Sequence, residues 1–326
     1  MSFRFIEVCA GAGGMSTGLM QAGFTPLLLN DNQKDCCQTL EHNHPGIRVV
    51  LGSFDEIDFG TFQEVDLDLL TGGVPCQSFS QAGKRLGLDD PRGDLMFKFI
   101  HLVHSIRPKV FMIENVKGLL THNCGQTLAE IIQRINGYNI YFKCLDASKY
   151  NVPQKRERVF IVGTRKDLKS VFEFPVEVST RRILGDVLRD VPPSIGAKYS
   201  DEKIALFRRI PQGGCWVNLP DDVQREYLGK SYDSPGGKRG ILHRLSMDKP
   251  SLTLLCTPSQ KQTERCHPLE DRPLTVREYA RIQTFEDTYV FTGSMSSQYK
   301  QIGNAVPVEL ARRMGISIWE FLEQNK

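Results

Sequence analysis

Three polar clusters in this chain have the residue types and placement of reactive groups. Cys76 closes Gly73-Val74-Pro75-Cys76, directly after the largely apolar residues 67–71, so a thiol stands just beyond a strand end. Ligands of open α/β sheets gather outside the carboxyl ends of the strands, and a cysteine there acts as a nucleophile when its thiolate is favoured. A free cysteine taken alone is more often buried packing; the company of this one argues for chemistry. Glu114-Asn115-Val116 ends another apolar run, and burial beside Phe111, Met112 and Ile113 would raise the carboxyl pKa toward that of a proton donor. Gln154-Lys155-Arg156-Glu157-Arg158 sets two guanidinium groups on one side of an extended segment, where both can face a pocket and bind a carbonyl or a phosphate.

A glycine turn adds a ligand site. Gly11, Gly13 and Gly14 follow the first strand-like run, which permits a tight turn, and Met15 onward can start a helix whose free N–H groups face a ligand. Asp31 lies 20 residues after Gly11, where a carboxylate can accept ribose hydroxyls. This combination indicates a nucleoside cofactor. A nicotinamide dinucleotide would want a third glycine where Ser16 stands, which favours S-adenosylmethionine, a cofactor without a pyrophosphate.

The elements that must position these groups are legible as alternating runs. Strands are expected at 5–10, 26–30, 49–51, 67–71, 110–113, 140–145 and 159–163, with helical spacing of apolar residues at 95–106 and at Leu128, Ile131, Ile132 and Ile135. Apolar strands separated by helices predict an α/β fold, a doubly wound and mostly parallel sheet covered on both faces. After Arg165 that rhythm stops, and Pro192-Pro193, Gly213-Gly214 and Ser234-Pro235-Gly236-Gly237 punctuate an irregular stretch. Residues 306–321 read as a helix again. The expected division is a catalytic domain of residues 1–170 and 296–326, interrupted by a smaller domain with its hinge at 171–295.

Composition sets the class. The 326 residues are 40% hydrophobic and 24% charged, as in a soluble globular protein. No apolar run has the length of a membrane span and no leader pattern opens the chain, so a cytoplasmic location is expected. Nine scattered cysteines without a C-x-x-C pair argue against metal sites and disulfides; Cys36-Cys37 reads as helix packing. The net charge of +3 arises between Arg165 and Asp271, with 18 Lys plus Arg against 15 Asp plus Glu, while the remainder balances at 23 against 23. So small an excess fits a nucleic-acid surface or ordinary solvated charge equally well.

Read in order, Ala10-Gly11-Ala12-Gly13-Gly14, Pro75-Cys76-Gln77, Glu114-Asn115-Val116, Gln154-x-Arg156-x-Arg158, Arg272-Pro273-Leu274-Thr275-Val276-Arg277-Glu278 and Gln301-Ile302-Gly303-Asn304-Ala305-Val306-Pro307 resemble the ordered motifs of the DNA cytosine-C5 methyltransferases of restriction-modification systems. Each motif is weak alone; six in one order are specific. The resemblance implies a Rossmann-like methyltransferase domain with a target-recognition domain inserted in it. It implies that Cys76 adds to C6 of cytosine, that Glu114 holds or protonates N3 and that Asn115 fixes the catalytic loop; of Arg156 and Arg158, one faces the base carbonyl or the loop and the other phosphate, with the base given to Arg158. Cofactor contacts would come from Cys9, Ala10, Gly11, Ala12, Gly13, Gly14, Asp31, Asn32, Ser53, Phe54, Gly73, Pro75, Leu95, Asn304, Ala305 and Val306. Four departures stand out: Cys9 where the family has phenylalanine, Asp31 for glutamate, Ser53 for the aspartate that reads the adenine amino group, and Val74 for the first proline of Pro-Pro-Cys. Together they imply weaker or altered adenine recognition.

The target base must leave the stack to reach such a site. The segment 80–87, with Ser80, Ala82, Lys84 and Arg85, is similar to the family's closing loop. Thr253-Leu254 resembles its Thr-Leu recognition pair, and Gln154, Arg239 and Arg265 are the further DNA-contact candidates. Expected partners are duplex DNA and a separately acting restriction endonuclease, with the enzyme a monomer. Two alternatives stay open from sequence: a tRNA cytosine methyltransferase on the same catalytic domain, and a non-catalytic binding relative.

Overall fold

The computed structural model describes residues 2–63, 65–75, 95–233, 240–261 and 263–326. Its centre is a seven-stranded sheet in the order β3-β2-β1-β4-β5-β7-β6. The strands are β1 (Arg4–Val8), β2 (Thr25–Asp31), β3 (Val49–Leu51), β4 (Leu69–Gly72), β5 (Val110–Val116), β6 (Tyr138–Asp146) and β7 (Glu157–Arg165), and all seven expected strands are present. β1 to β5 pair in parallel, while β7 runs antiparallel between β5 and β6.

Successive side chains of the central strands enter opposite cores, as the two-residue period of a strand requires. Phe5, Leu69, Val110 and Met112 pack on one face with Met15 and Leu19 of α1 (Gly14–Gln21) and with Leu310, Met314 and Ile318 of the C-terminal helix. Ile6, Leu70, Phe111 and Ile113 pack on the other with Met96, Phe99 and Val103. The remaining helices are α2 (Lys34–Asn43), α3 (Gly60–Gln63), α4 (Leu95–Ile106), α5 (Gln126–Gln133), α6 (Asp201–Phe207), α7 (Asp221–Leu228), α8 (Val276–Ile282), α9 (Met295–Asn304) and the C-terminal α10 (Val308–Glu323).

After β7 no described residue adds a strand to this sheet; isolated bridges such as Gln154 with Ser251 and Arg244 with Cys266 replace it. Tyr199, Phe207, Ile210, Leu219, Leu228, Leu242 and Cys266 enclose a small core of their own. A separate cluster joins Leu184, Val187 and Leu254 to Tyr279 and Phe285, and reaches Tyr299, Ile302, Ala305 and Ala12. The 272–305 stretch therefore packs against the glycine turn as well as against the irregular segment. No helix among the described residues is long and apolar enough to cross a membrane.

Strand order reverses between β1 and β4, which opens a crevice at their carboxyl ends. Gly11 after β1, Asp31 at the end of β2, Gly73 after β4 and Glu114 in β5 all reach that edge. Because β7 is antiparallel, its start arrives there too, with Arg158 in register with Val116 and Phe160 with Glu114.

Candidate active site

A cleft of about 1100 Å³ occupies this edge. Glu114, Asn115, Arg156 and Arg158 line one part of it, while Cys9, Ala10, Gly11, Asp31, Asn32, Ser53, Phe54, Gly73, Pro75, Leu95, Asn304, Ala305 and Val306 line the rest. Cys76 lies outside the described residues, as do Ser80, Ala82, Lys84, Arg85 and Arg239. Pro75, the residue before Cys76, is on the cleft wall.

Glu114 and Arg158 form a buried pair, with Nε 2.9 Å from Oε1. Burial raises the Glu114 pKa above the ordinary carboxylate value, and the charges of Arg158 and Arg156 oppose it. Asn115 donates from Nδ2 to the Val74 carbonyl at 2.8 Å, and its Oδ1 accepts the Val116 N–H at 2.8 Å. That amide ties the end of β5 to the turn that leads into Cys76.

Arg156 does not share the role of Arg158. Fully buried, it donates to the carbonyls of Leu254, Gly303 and Asn304 at 3.3, 2.9 and 3.3 Å. Burial, helped by the charge of Arg158, lowers its pKa to about 9. The alternation that put both arginines on one side is correct, yet Arg156 is consumed in clamping three segments together.

At the other end, the Asp31 carboxylate accepts the Gly11 and Gln33 N–H groups at 2.8 Å each. Burial raises its pKa against those bonds. Ser53 hydrogen-bonds Asp55, which in turn pairs with Lys98 of α4. The Cys9 thiol is pushed up to about 12, by burial first and then by the charges of Asp31 and Glu7.

Three of the expected cofactor residues are not on the cleft wall. Ala12 is buried in the Tyr279 cluster. A Cβ on Gly13 would come within 2.6 Å of the Tyr289 hydroxyl, and one on Gly14 within 2.3 Å of the Val306 carbonyl oxygen. These positions are small because α1 must seat closely against the 285–306 segment. The DNA-contact set also needs correction. Gln154 is fully buried, donating to Gln283 Oε1 and accepting the Leu254 N–H; Leu254 has no exposed surface; Arg265 is 6% exposed and donates to the Thr253 and Glu264 carbonyls. All three are spent inside the protein: Gln154 and Arg265 on hydrogen bonds within the chain and Leu254 on the core. Thr253 alone of the described set is half-buried, its hydroxyl donating to the Lys155 carbonyl.

Sequence reading missed Glu7, Cys36, His122 and Lys300, which also line the cleft. Glu7 is 1% exposed, and burial pushes its pKa to about 8. Its Oε2 has no hydrogen-bond partner among the described residues. The available signal was a carboxylate inside an otherwise apolar strand, one turn before the glycines.

The geometry agrees with the comparison to known proteins. The model of the C-5 cytosine-specific DNA methylases matches residues 3–320. This chain belongs to that family. The methylase is 48% identical to Type II methyltransferase M.Eco47II of Escherichia coli across 99% of its own length and 80% of the relative's. It is 44% identical to M.Sau96I of Staphylococcus aureus, over 99% and 77% of the two chains, and 34% identical to M.MthTI of Methanothermobacter thermautotrophicus, over 99% of both. A Spodoptera frugiperda DNMT2 mutant structure shares the fold, with a TM-score of 0.72 at 14% identity over 98% of this chain and 100% of that one. The methylase is an enzyme of the restriction-modification type that modifies cytosine C5 in DNA at specific sequences.

Proposed function

We propose that the methylase takes its methyl group from S-adenosylmethionine and places it on C5 of a cytosine turned out of duplex DNA, with Cys76 as nucleophile. The observation that carries this is one continuous cleft: the Glu114–Arg158 pair at one end, Asp31, Phe54, Leu95 and Val306 at the other, and the 73–75 turn between them. The residues suit an adenosyl sulfonium. Asp31 keeps lone pairs for ribose hydroxyls beyond the two N–H groups that it accepts, Phe54, Leu95 and Val306 offer apolar contact, and Glu7 Oε2 is a buried polar atom without a partner among the described residues. When bound there, the cofactor supplies an electrophilic methyl.

The Cys76 thiolate adds to C6 and pushes electron density toward N3 and C5. Glu114, held toward its protonated form by burial, donates to N3 where charge develops. Arg158, fixed beside it, faces the base carbonyl. Asn115 holds the turn through Val74. Once C5 carries the methyl, its proton is lost and the thiolate leaves C6, restoring the double bond. A stacked base cannot reach a carboxyl 9% exposed, so the nucleotide flips out.

In this reading residues 1–170 and 296–326 carry the chemistry, and 171–295 read the target through Thr253 and Arg239. Ser80, Ala82, Lys84 and Arg85 close over the flipped base. The enzyme acts as a monomer in the cytoplasm, beside a separately acting endonuclease. Incubation with methyl-labelled S-adenosylmethionine tests this directly: label is expected in duplex DNA, as 5-methylcytosine, and not in tRNA. Label in tRNA alone, or in neither, would refute it.

A further inference from the structure

Between the segment that carries Thr253 and the cleft wall lies a contact that none of these roles uses. Cys256 Sγ sits 3.0 Å from Oδ1 of Asn304, a residue of the cleft wall. The approach is built into the backbone. A Cβ on Gly303 would come within 2.6 Å of the Leu255 carbonyl oxygen and 2.9 Å of the Cys256 nitrogen, so a side chain there would drive the two segments apart. Arg156 fastens the same segments from the other side, through the Leu254, Gly303 and Asn304 carbonyls.

The polarity of the contact follows from protonation. Burial raises the Cys256 thiol above its ordinary value, against the charges of Arg156 and Lys300, so it carries its proton at neutral pH. A thiol facing an amide oxygen donates to it. That bond holds Oδ1 toward the sulfur and directs Nδ2, with its two hydrogens, away from Cys256.

We infer that Cys256 is a positioning residue, which orients the Asn304 amide so that its NH2 group meets an anionic group on the amino-acid arm of the cofactor. The inference rests on the proposed use of S-adenosylmethionine. It gives the segment after Thr253-Leu254 a second task, since the strand of chain placed to read DNA also sets one wall of the cofactor site.

Two ligands separate this role from a merely structural one. S-adenosylhomocysteine has the amino-acid arm; 5′-methylthioadenosine has the same nucleoside and thioether without it. Calorimetry on the full chain is expected to show Cys256→Ala weakening S-adenosylhomocysteine roughly fivefold, the effect of one neutral hydrogen bond, with 5′-methylthioadenosine changed less than about twofold. The KM for S-adenosylmethionine should rise with kcat unchanged, and Cys256→Ser should restore binding. Cys256→Ala added to Asn304→Ala should cost nothing further, because Cys256 acts only through that amide. Equal weakening of both ligands, no change, or additive losses would overturn the role of Cys256. Failure of the unaltered chain to bind either ligand would instead remove the cofactor reading and this inference with it.

Discussion

Glu7→Gln is expected to stabilise the methylase increasingly as pH rises. The carboxyl stands on the cleft wall, 1% exposed, beside Ser16 and within the field of Asp31. Burial pushes its pKa from 4.5 to about 8. Between those values the folded protein keeps a proton that the unfolded chain has released. Stability from this group is therefore complete below about pH 4.5 and is lost as pH rises through about 8. At about 1.4 kcal/mol per pH unit the full span amounts to on the order of 3–5 kcal/mol. Glutamine has the same shape and no charge to bury at any pH. Urea unfolding of both proteins without cofactor, from pH 5 to pH 9, reads the difference directly. The advantage of Glu7→Gln should grow with pH and level off above about 8. A difference independent of pH, or one that shrinks toward alkaline pH, would refute the assignment of a buried, proton-holding carboxyl at this position.

Asp31→Ala should weaken S-adenosylmethionine by about 1.5–3 kcal/mol, the cost of a hydrogen bond to a charged group; unchanged affinity in calorimetry would mean that the carboxylate serves only Gly11 and Gln33. Arg156→Met leaves three carbonyls without their donor, and a stability loss of about 2 kcal/mol or more is expected in urea titration; a variant as stable as the parent would show that the clamp carries no weight. Arg265→Ala should lower stability by about 1–3 kcal/mol and leave the order of preference among DNA targets unchanged in competition binding, whereas a loss confined to one base position would return this arginine to the DNA surface.

The middle of the sheet was legible because its strands are buried on both faces. Continuous apolar runs at 5–10, 67–71 and 110–113 have few other uses, and the glycine turn marks where the first of them ends. The Glu114–Arg158 pair was legible for a related reason: a carboxylate closing an apolar strand and a cation directly before another have to meet if the strands are neighbours. What sequence could not show was which polar residues the interior consumes. Gln154, Arg156 and Arg265 have the types that bind bases and phosphates, and all three bond to carbonyls or amides of their own chain. Nothing local separates a buried guanidinium that braces loops from one that waits for a phosphate, because, apart from the neighbouring Glu264 carbonyl, the partners of Arg156 and Arg265 lie from 12 to 148 residues away. Glu7 was hidden for the opposite reason, since one carboxylate in a short strand reads as an interruption of the core.

Covalent trapping tests the catalytic centre most directly. Duplex DNA carrying 5-fluorocytosine at the methylated position lets the nucleophile add and the methyl transfer, but fluorine cannot leave C5 as a proton does, so the enzyme stays attached. Proteolysis and mass spectrometry of the adduct should show the modified base on the peptide containing Cys76, only when S-adenosylmethionine is present, and no adduct with Cys76→Ser. Turnover of unmodified DNA with no adduct on the fluorinated duplex, or attachment at any residue other than Cys76, would contradict the proposed chemistry.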